Sequence, residues 1–356
     1  MTLARHVRSS TPAVITGSHG PRTLRHAVGA GVLALFVSAP LALAENQDRA
    51  FTGIQQAKRA TVGVLQPGED AQRQAGKAHF VMRGTALHLR AGYLLTARHV
   101  AEQDEAGRRA LAKQITVLTA DLDEVSATLV GVNAFLDLAV YRLPESVWSR
   151  LPDVAIASTD PDPGEEVFTI GYPLGWGPAI AFGRIGNPGT FLPTVETRLF
   201  QIDLSVCAGN SGGGLFNTKG ELIGIMHAMI QTTSDRGEQP CSPLAFASPG
   251  TLVHRVTSAL IKGEQPGFSK LGTALTAVRM GTRWRVAVAE SNGPARDGGV
   301  QKGDVLLSID RTEIADGAQL KNYLIERTVP GQRVDLRVLR EGKEQVLPVT
   351  LGQSSP

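Results

Sequence analysis

The chain has 356 residues, a formal net charge of +3 and two cysteines; at roughly 150 residues per domain this gives two domains and a smaller extra segment. Arg5, Arg8, Arg22 and Arg25 precede Glu45 with no acid among them, so the remainder carries about −1 (3 − 4). That balance leaves no basic field for nucleic acid or an acidic bilayer. Neither a clustered metal-ligand spacing nor a phosphate-cradling glycine loop occurs, so no metal and no cofactor is expected.

The first 44 residues join a basic start to an apolar run from Ala27 to Ala44 that ends in Ala42-Leu43-Ala44. This pattern predicts a secretory signal over 1–44, cut after Ala44, and an exported, periplasmic product without membrane contact. An uncleaved membrane anchor is the alternative, because the apolar run approaches spanning length. Gly29, Gly31, Ser38 and Pro40 favour cleavage.

Three segments downstream carry chemistry. His99 closes the apolar frame Leu94-Leu95-Thr96-Ala97-Arg98-His99-Val100, and Asp137 sits inside Phe135-Leu136-Asp137-Leu138-Ala139-Val140. An acid so framed needs a partner to offset its desolvation, and an imidazole N–H is a suitable one. Ser211 follows in Gly209-Asn210-Ser211-Gly212-Gly213-Gly214, a glycine frame that exposes a hydroxyl and aims backbone N–H groups into one cavity. Each segment alone has a bland reading as a turn or a satisfied polar residue. Three in the order His, Asp, Ser point to a relay in which His99 is the base, Asp137 its orienting acid and Ser211 the nucleophile. The N–H groups of Gly209 and Ser211 are the expected oxyanion donors. His227, in the strand-like Leu222–Ala228 run, reads as a wall of the cleft and not as a second base.

These segments resemble the HtrA (Deg) family of trypsin-like serine proteases. The similarity extends to Gly84-Thr85-Ala86, Val130-Gly131, Gly171-Tyr172-Pro173-Leu174-Gly175, Gly220–Ile225 and Ala245–Pro249. It implies a mainly β chain, with two six-stranded antiparallel barrels over 45–262 and the triad in the cleft between them. It further implies an ATP-independent endopeptidase for unfolded or exposed protein segments, and homotrimers, with Phe51 and its neighbours as contacts. Asn210 stands where digestive relatives place an aspartate, so activation by a new N-terminal ammonium is not expected. The offset of Cys207 from Ser211 matches chymotrypsin-type enzymes in which it bonds to the next loop, which implies a Cys207–Cys241 disulfide; two free thiols are the alternative. By the same likeness Ser205 lies near the base of the primary pocket, with Met229 and His227 shaping its walls. The absence of charge there predicts a preference for apolar side chains.

A turn-rich linker over 263–269 precedes a C-terminal segment, 270–352. Strand-like Val286–Val288, Pro294-Ala295, Gly303-Asp304 and a closing hairpin around Glu341-Gly342 follow. The order resembles a small α+β PDZ domain of the kind fused to HtrA proteases. That likeness makes Leu271, Gly272 and Thr273 a carboxylate-binding loop for peptide C-termini. Leu275, Leu320 and Leu324 would surround the terminal side chain, and their bland reading is core. The function expected is protein quality control. A non-catalytic peptide-binding chaperone and a regulatory protease with one target are the competing readings.

Overall fold

The computed structural model describes residues 51–65, 82–105, 108–192, 195, 197–229, 233–234, 237–238 and 241–354. The signal read over 1–44 lies outside them. Among the described residues no helix is long and apolar enough to cross a membrane.

Two closed six-stranded antiparallel barrels follow one another in the chain. The first runs, in spatial order, through Thr61–Leu65, Met82–His88, Tyr93–Ala97, Leu138–Arg142, Glu124–Asn133 and Gln114–Leu118. The second runs through Ala179–Thr190, Leu199–Cys207, Cys241–Pro249, Leu222–Met229, Gly214–Asn217 and Glu166–Gly171. Closure leaves neither sheet an unpaired edge. Strand periodicity explains why the short barrel strands are apolar on both faces: successive side chains point to opposite sides. Leu94 fills the interior of the first barrel with Val62, Val117 and Tyr141, whereas Leu95 joins a seam outside it. Leu138 and Val140 enter the same seam while Ala139 between them turns inward.

Among the described residues that seam is the largest apolar cluster. It takes Leu95, Leu136 and Leu138 from the first barrel, and Phe168, Ile170, Phe216 and Ile225 from the second. The helix Gly250–Ile261 covers it with Leu252, Val253, Val256 and Leu260, a stripe at helical spacing. The two barrels are therefore one packed body with a fixed cleft.

The C-terminal domain is a sheet ordered Thr273–Met280, Arg283–Ser291, Val305–Ile309, Arg333–Arg340 and Lys343–Thr350, with the short Thr312–Glu313 paired at its side. Helices Gly293–Asp297 and Gly317–Arg327 accompany it. Glu341 and Gly342 both have positive φ (49° and 77°), the requirement of the tight turn that matches strand twist. The strand Phe268–Lys270 pairs with Gly352–Ser354 and starts inside the stretch read as linker.

This domain is tied to the barrels by charge and by aromatic packing. Arg198, 8% exposed, bonds both oxygens of Glu326 (2.7 and 2.9 Å), Asp160 (2.5 Å) and the carbonyl of Pro188 (2.7 Å). Arg255 donates to the carbonyl of Ile325 at 2.5 Å, and Phe135 stacks on Phe268 with centroids 4.3 Å apart. Removing one member of a buried ion pair strands the other. Glu326→Ala is therefore expected to cost about 3 kcal/mol, the low end of the usual range because Asp160 remains. A lowered urea midpoint measures this, and Arg198→Met combined with Glu326→Leu and Asp160→Asn, which strands no charge, should recover most of the loss.

Candidate active site

Asp137 stands at the tip of the turn between Glu124–Asn133 and Leu138–Arg142. Leu136 and Leu138, each 1% exposed, anchor it on both sides in the seam. The turn is closed by the N–H of Leu136 on Asn133 Oδ1 at 2.9 Å and that of Asp137 on the carbonyl of Ala134 at 3.3 Å. Asp137 has φ of 53°, the left-handed region that aspartate tolerates better than most residues. So held, it reaches the end of the strand Tyr93–Ala97. Its carbonyl accepts from the N–H of Arg98 at 2.7 Å, Oδ1 from the backbone N–H of His99 at 3.0 Å, and Oδ2 from His99 Nδ1 at 2.5 Å. Burial pushes the Asp137 carboxyl up. The His99 hydrogen bond, the electrostatic pull of the His99 and His227 rings and the His99 backbone N–H together outweigh this, leaving it below the ordinary carboxylate value. An ionised acid on Nδ1 fixes the proton there and leaves Nε2 of His99 as the free nitrogen.

Ser211 arrives on a tight turn after Leu199–Cys207. The carbonyl of Cys207 accepts from the N–H of Asn210 at 3.1 Å, with Gly209 at φ 103° between them. A Cβ on Gly209 would strike the carbonyl of Tyr172, so the position needs glycine on both counts. Gly212 lies so close to the first barrel that a Cβ there would meet Thr85 O and Thr96 Oγ1 and stand 2.8 Å from Ala97 N. Ala97 is two residues before His99, so this contact sets the nucleophile turn against the histidine segment. The N–H groups of Gly209 and Ser211 take no partner among the described residues.

Thr85 enters the sequence reading only as part of Gly84-Thr85-Ala86; its bonds to the serine turn were not foreseen. Its N–H donates to Ser211 O at 2.9 Å and its Oγ1 to Gly209 O at 2.7 Å; Oγ1 also accepts from Tyr172 N at 3.1 Å, and Thr85 O accepts from Thr96 Oγ1 at 2.7 Å. The signal was a threonine at a fully buried strand position beside Gly84.

His227 lies on the second-barrel strand Leu222–Met229, with its side chain 15% exposed and Nδ1 3.7 Å from Asp137 Oδ2. His227 is thus on the expected strand, and the carboxylate it approaches is that of Asp137. Ser205 lines a separate depression of about 740 Å³ with Phe182, Arg184, Asp203 and Pro243, and none of His99, Asp137 and Ser211 lines it. Strand alternation explains this, since Asp203 and Ser205 face out while Leu204 and Val206 are buried. Met229 ends its strand, and its side chain is outside the described ones. Cys207 and Cys241 form a disulfide across directly paired strand positions. Leu271, Gly272, Thr273, Leu275, Leu320 and Leu324 together line one cavity of about 530 Å³ that Phe135 of the first barrel also borders. Leu320 and Leu324 belong to the domain core as well.

Residues 76–225 match the family model of a trypsin-like peptidase domain, and residues 269–351 that of a PDZ domain. A protein of Pseudomonas fulva named "Probable periplasmic serine endoprotease DegP-like" is 31% identical over 273 residues, 73% of this chain and 53% of that protein. The protein of the same name from Ectopseudomonas mendocina is 32% identical, with 73% and 54% covered. The chain thus spans about half the length of these curated relatives. Among solved structures, the HtrA-type protease AlgW with a tripeptide is 30% identical, covers 86% of this chain and 98% of its own, and has a TM-score of 0.68. The serine endoprotease from Yersinia pestis is 25% identical with the same coverage and a TM-score of 0.58.

Another first-barrel histidine has a structural place. His88 is wholly buried; its Nδ1–H donates to Pro152 O at 2.9 Å and its Nε2 accepts from Gly92 N–H at 3.1 Å. Burial, reinforced by Arg142, outweighs the Pro152 bond and the pull of Asp153 and holds the ring below its ordinary 6.5. The unfolded chain therefore binds the proton more readily than the fold. Stability is full above about pH 6.5 and falls as pH drops toward the lowered folded value. Thermal unfolding should show this decline as pH is lowered through about 6.5. His88→Gln, which can keep both hydrogen bonds without titrating, should flatten part of it.

Proposed function

The chain belongs to the HtrA family of trypsin-like serine proteases with a PDZ domain, and on that premise we propose that it is an exported endopeptidase working through an acyl-enzyme. Ser211 Oγ attacks the scissile carbonyl carbon while His99 Nε2 takes its proton. Asp137 holds the Nδ1 proton in place and stabilises the imidazolium. The tetrahedral oxyanion rests on the N–H groups of Gly209 and Ser211, each worth about 3–4 kcal/mol of transition-state stabilisation. Collapse of the intermediate breaks the C–N bond as His99 returns the proton to the leaving amine. Water, activated by the same imidazole, then releases the acid and restores Ser211.

The observation that carries this reading is the 2.5 Å contact of Asp137 Oδ2 with His99 Nδ1, next to a serine turn with two unclaimed N–H groups. The substrates are unfolded or exposed protein segments. The cavity bounded by Leu271, Gly272, Thr273, Leu275, Leu320 and Leu324 receives peptide C-termini by strand addition along Thr273–Met280. The names of the relatives, the N-terminal sequence pattern and the Cys207–Cys241 bond all favour a periplasmic setting, where disulfides persist.

Wild-type protein should digest casein and take up a fluorophosphonate label, and Ser211→Ala should lose both. His99→Ala is expected to lower turnover by roughly four or more orders of magnitude while leaving the fold intact by circular dichroism. Wild-type protein that neither labels nor cleaves casein, with or without a C-terminal peptide in the PDZ cavity, would defeat the enzymatic reading. An apolar peptide should bind with a free C-terminal carboxylate and lose affinity when amidated, as read by fluorescence anisotropy.

A further inference from the structure

Two imidazoles, not one, face the carboxylate of Asp137. His99 Nδ1 meets Oδ2 from the first barrel at 2.5 Å, and His227 Nδ1 approaches the same oxygen from the second barrel at 3.7 Å. The placement of His227 comes from an irregularity in its strand. Met226 pairs with Ala247 and Ala228 with Phe246, so His227 is the extra residue of a β-bulge. A bulge re-aims one side chain without ending the strand, and such features gather beside active sites. The neighbouring residue is fixed independently, because Met226 exchanges hydrogen bonds with Gly212 N at 2.9 Å and Gly213 O at 2.8 Å. One short segment therefore grips the serine turn through Met226 and faces the acid through His227.

We propose that His227 is a positioning residue of the relay, its Nδ1–H directed at Asp137 Oδ2 so that the acid is held from both barrels. The assignment rests on the triad reading and adds to it. Asp137 Oδ2 has a lone pair beyond the one His99 uses. At 3.7 Å the ring stands outside direct hydrogen-bond reach, so its N–H dipole, pointed at that lone pair, acts electrostatically and favours the carboxylate orientation that faces His99.

The surroundings of His227 suit a neutral donor. Burial pushes its ring below the ordinary imidazole value against the pull of Asp137, and His99 adds to the lowering. Strands Tyr93–Ala97, Gly214–Asn217 and Cys241–Pro249, which pack near it, contain no charged residue. On Leu199–Cys207 the charged residue is Asp203, which is exposed. On the helix Gly250–Ile261, His254 is exposed and Arg255 is bonded to Ile325 O. Among the described residues, Asp137 and His99 are thus the charges that act on it. A neutral imidazole donates from one nitrogen only, so the proposal requires the Nδ1–H tautomer.

Steady-state kinetics over pH for His227→Phe and His227→Gln test this, alongside the wild type. His227→Phe should lower kcat roughly 10- to 100-fold with little change in KM, since misplacement of a relay group acts on the chemical step. The acid limb of kcat/KM should move to higher pH, because the charge of Asp137 then falls on His99 alone. His227→Gln keeps a donor and should restore most of kcat and the limb. A loss confined to KM would make His227 a cleft wall and overturn the proposal. Equal losses in both variants with an unmoved limb, or no loss, would do the same. Nitrogen-15 NMR of the Ser211→Ala protein supplies a measurement that needs no change at His227: a ring protonated at Nε2 alone near pH 7 also overturns it. Fluorophosphonate labelling of wild type reports separately on the triad, so failure of that reading is distinguishable.

Discussion

Thr85 ties the serine turn to the first barrel by donating its backbone N–H to Ser211 O and its hydroxyl to Gly209 O, while its carbonyl is held by Thr96 and its hydroxyl oxygen by Tyr172 N–H. A serine turn rich in glycine has many conformations available when free, and only an external template selects one. Thr85 is that template. It accepts from Tyr172 and Thr96 while donating to Ser211 and Gly209, so its polar groups are fully used inside a residue with no exposed surface. Replacing it with valine, similar in shape, would leave Gly209 O and Tyr172 N unpaired in a dry place, where each lost partner is felt at about 1–3 kcal/mol. Gly212, pressed against Thr96 and Ala97, adds a steric boundary to the same selection.

The apolar seam supplies the complementary constraint. Leu136 and Leu138 are fixed among side chains of both barrels, so the acid between them, and the histidine it holds, have little freedom to move away from the serine turn of the second barrel. Charge at the cleft is thereby positioned by oil-like contacts a few ångströms away. The helix Gly250–Ile261, laid across the seam, makes this geometry a property of the whole protease body.

The segments proposed to form the relay stand out in the sequence because each is a local signature. A glycine frame around Ser211, an acid within Phe135–Val140 and a histidine at a strand end each declare a backbone requirement or an uncompensated burial. The same holds for the PDZ loop at Gly272 and the hairpin at Glu341-Gly342. Less legible were features set by register. His227 acquires its neighbour through a bulge, which strict alternation does not anticipate, and Ser205 falls on the outward phase of its strand. Arg198 with Glu326, and Phe135 with Phe268, join residues more than a hundred positions apart. No spacing rule links such pairs; only the folded chain brings them together.

The guanidinium of Arg198 has every arm occupied, by two acids and a carbonyl, in a place with scarcely any solvent. Such a joint resists small displacements more strongly than large ones. Sliding the C-terminal module slightly breaks directional bonds before water can enter to replace them, whereas full separation lets each group hydrate. Docking of this kind behaves as a latch, seated or released, with no stable position between.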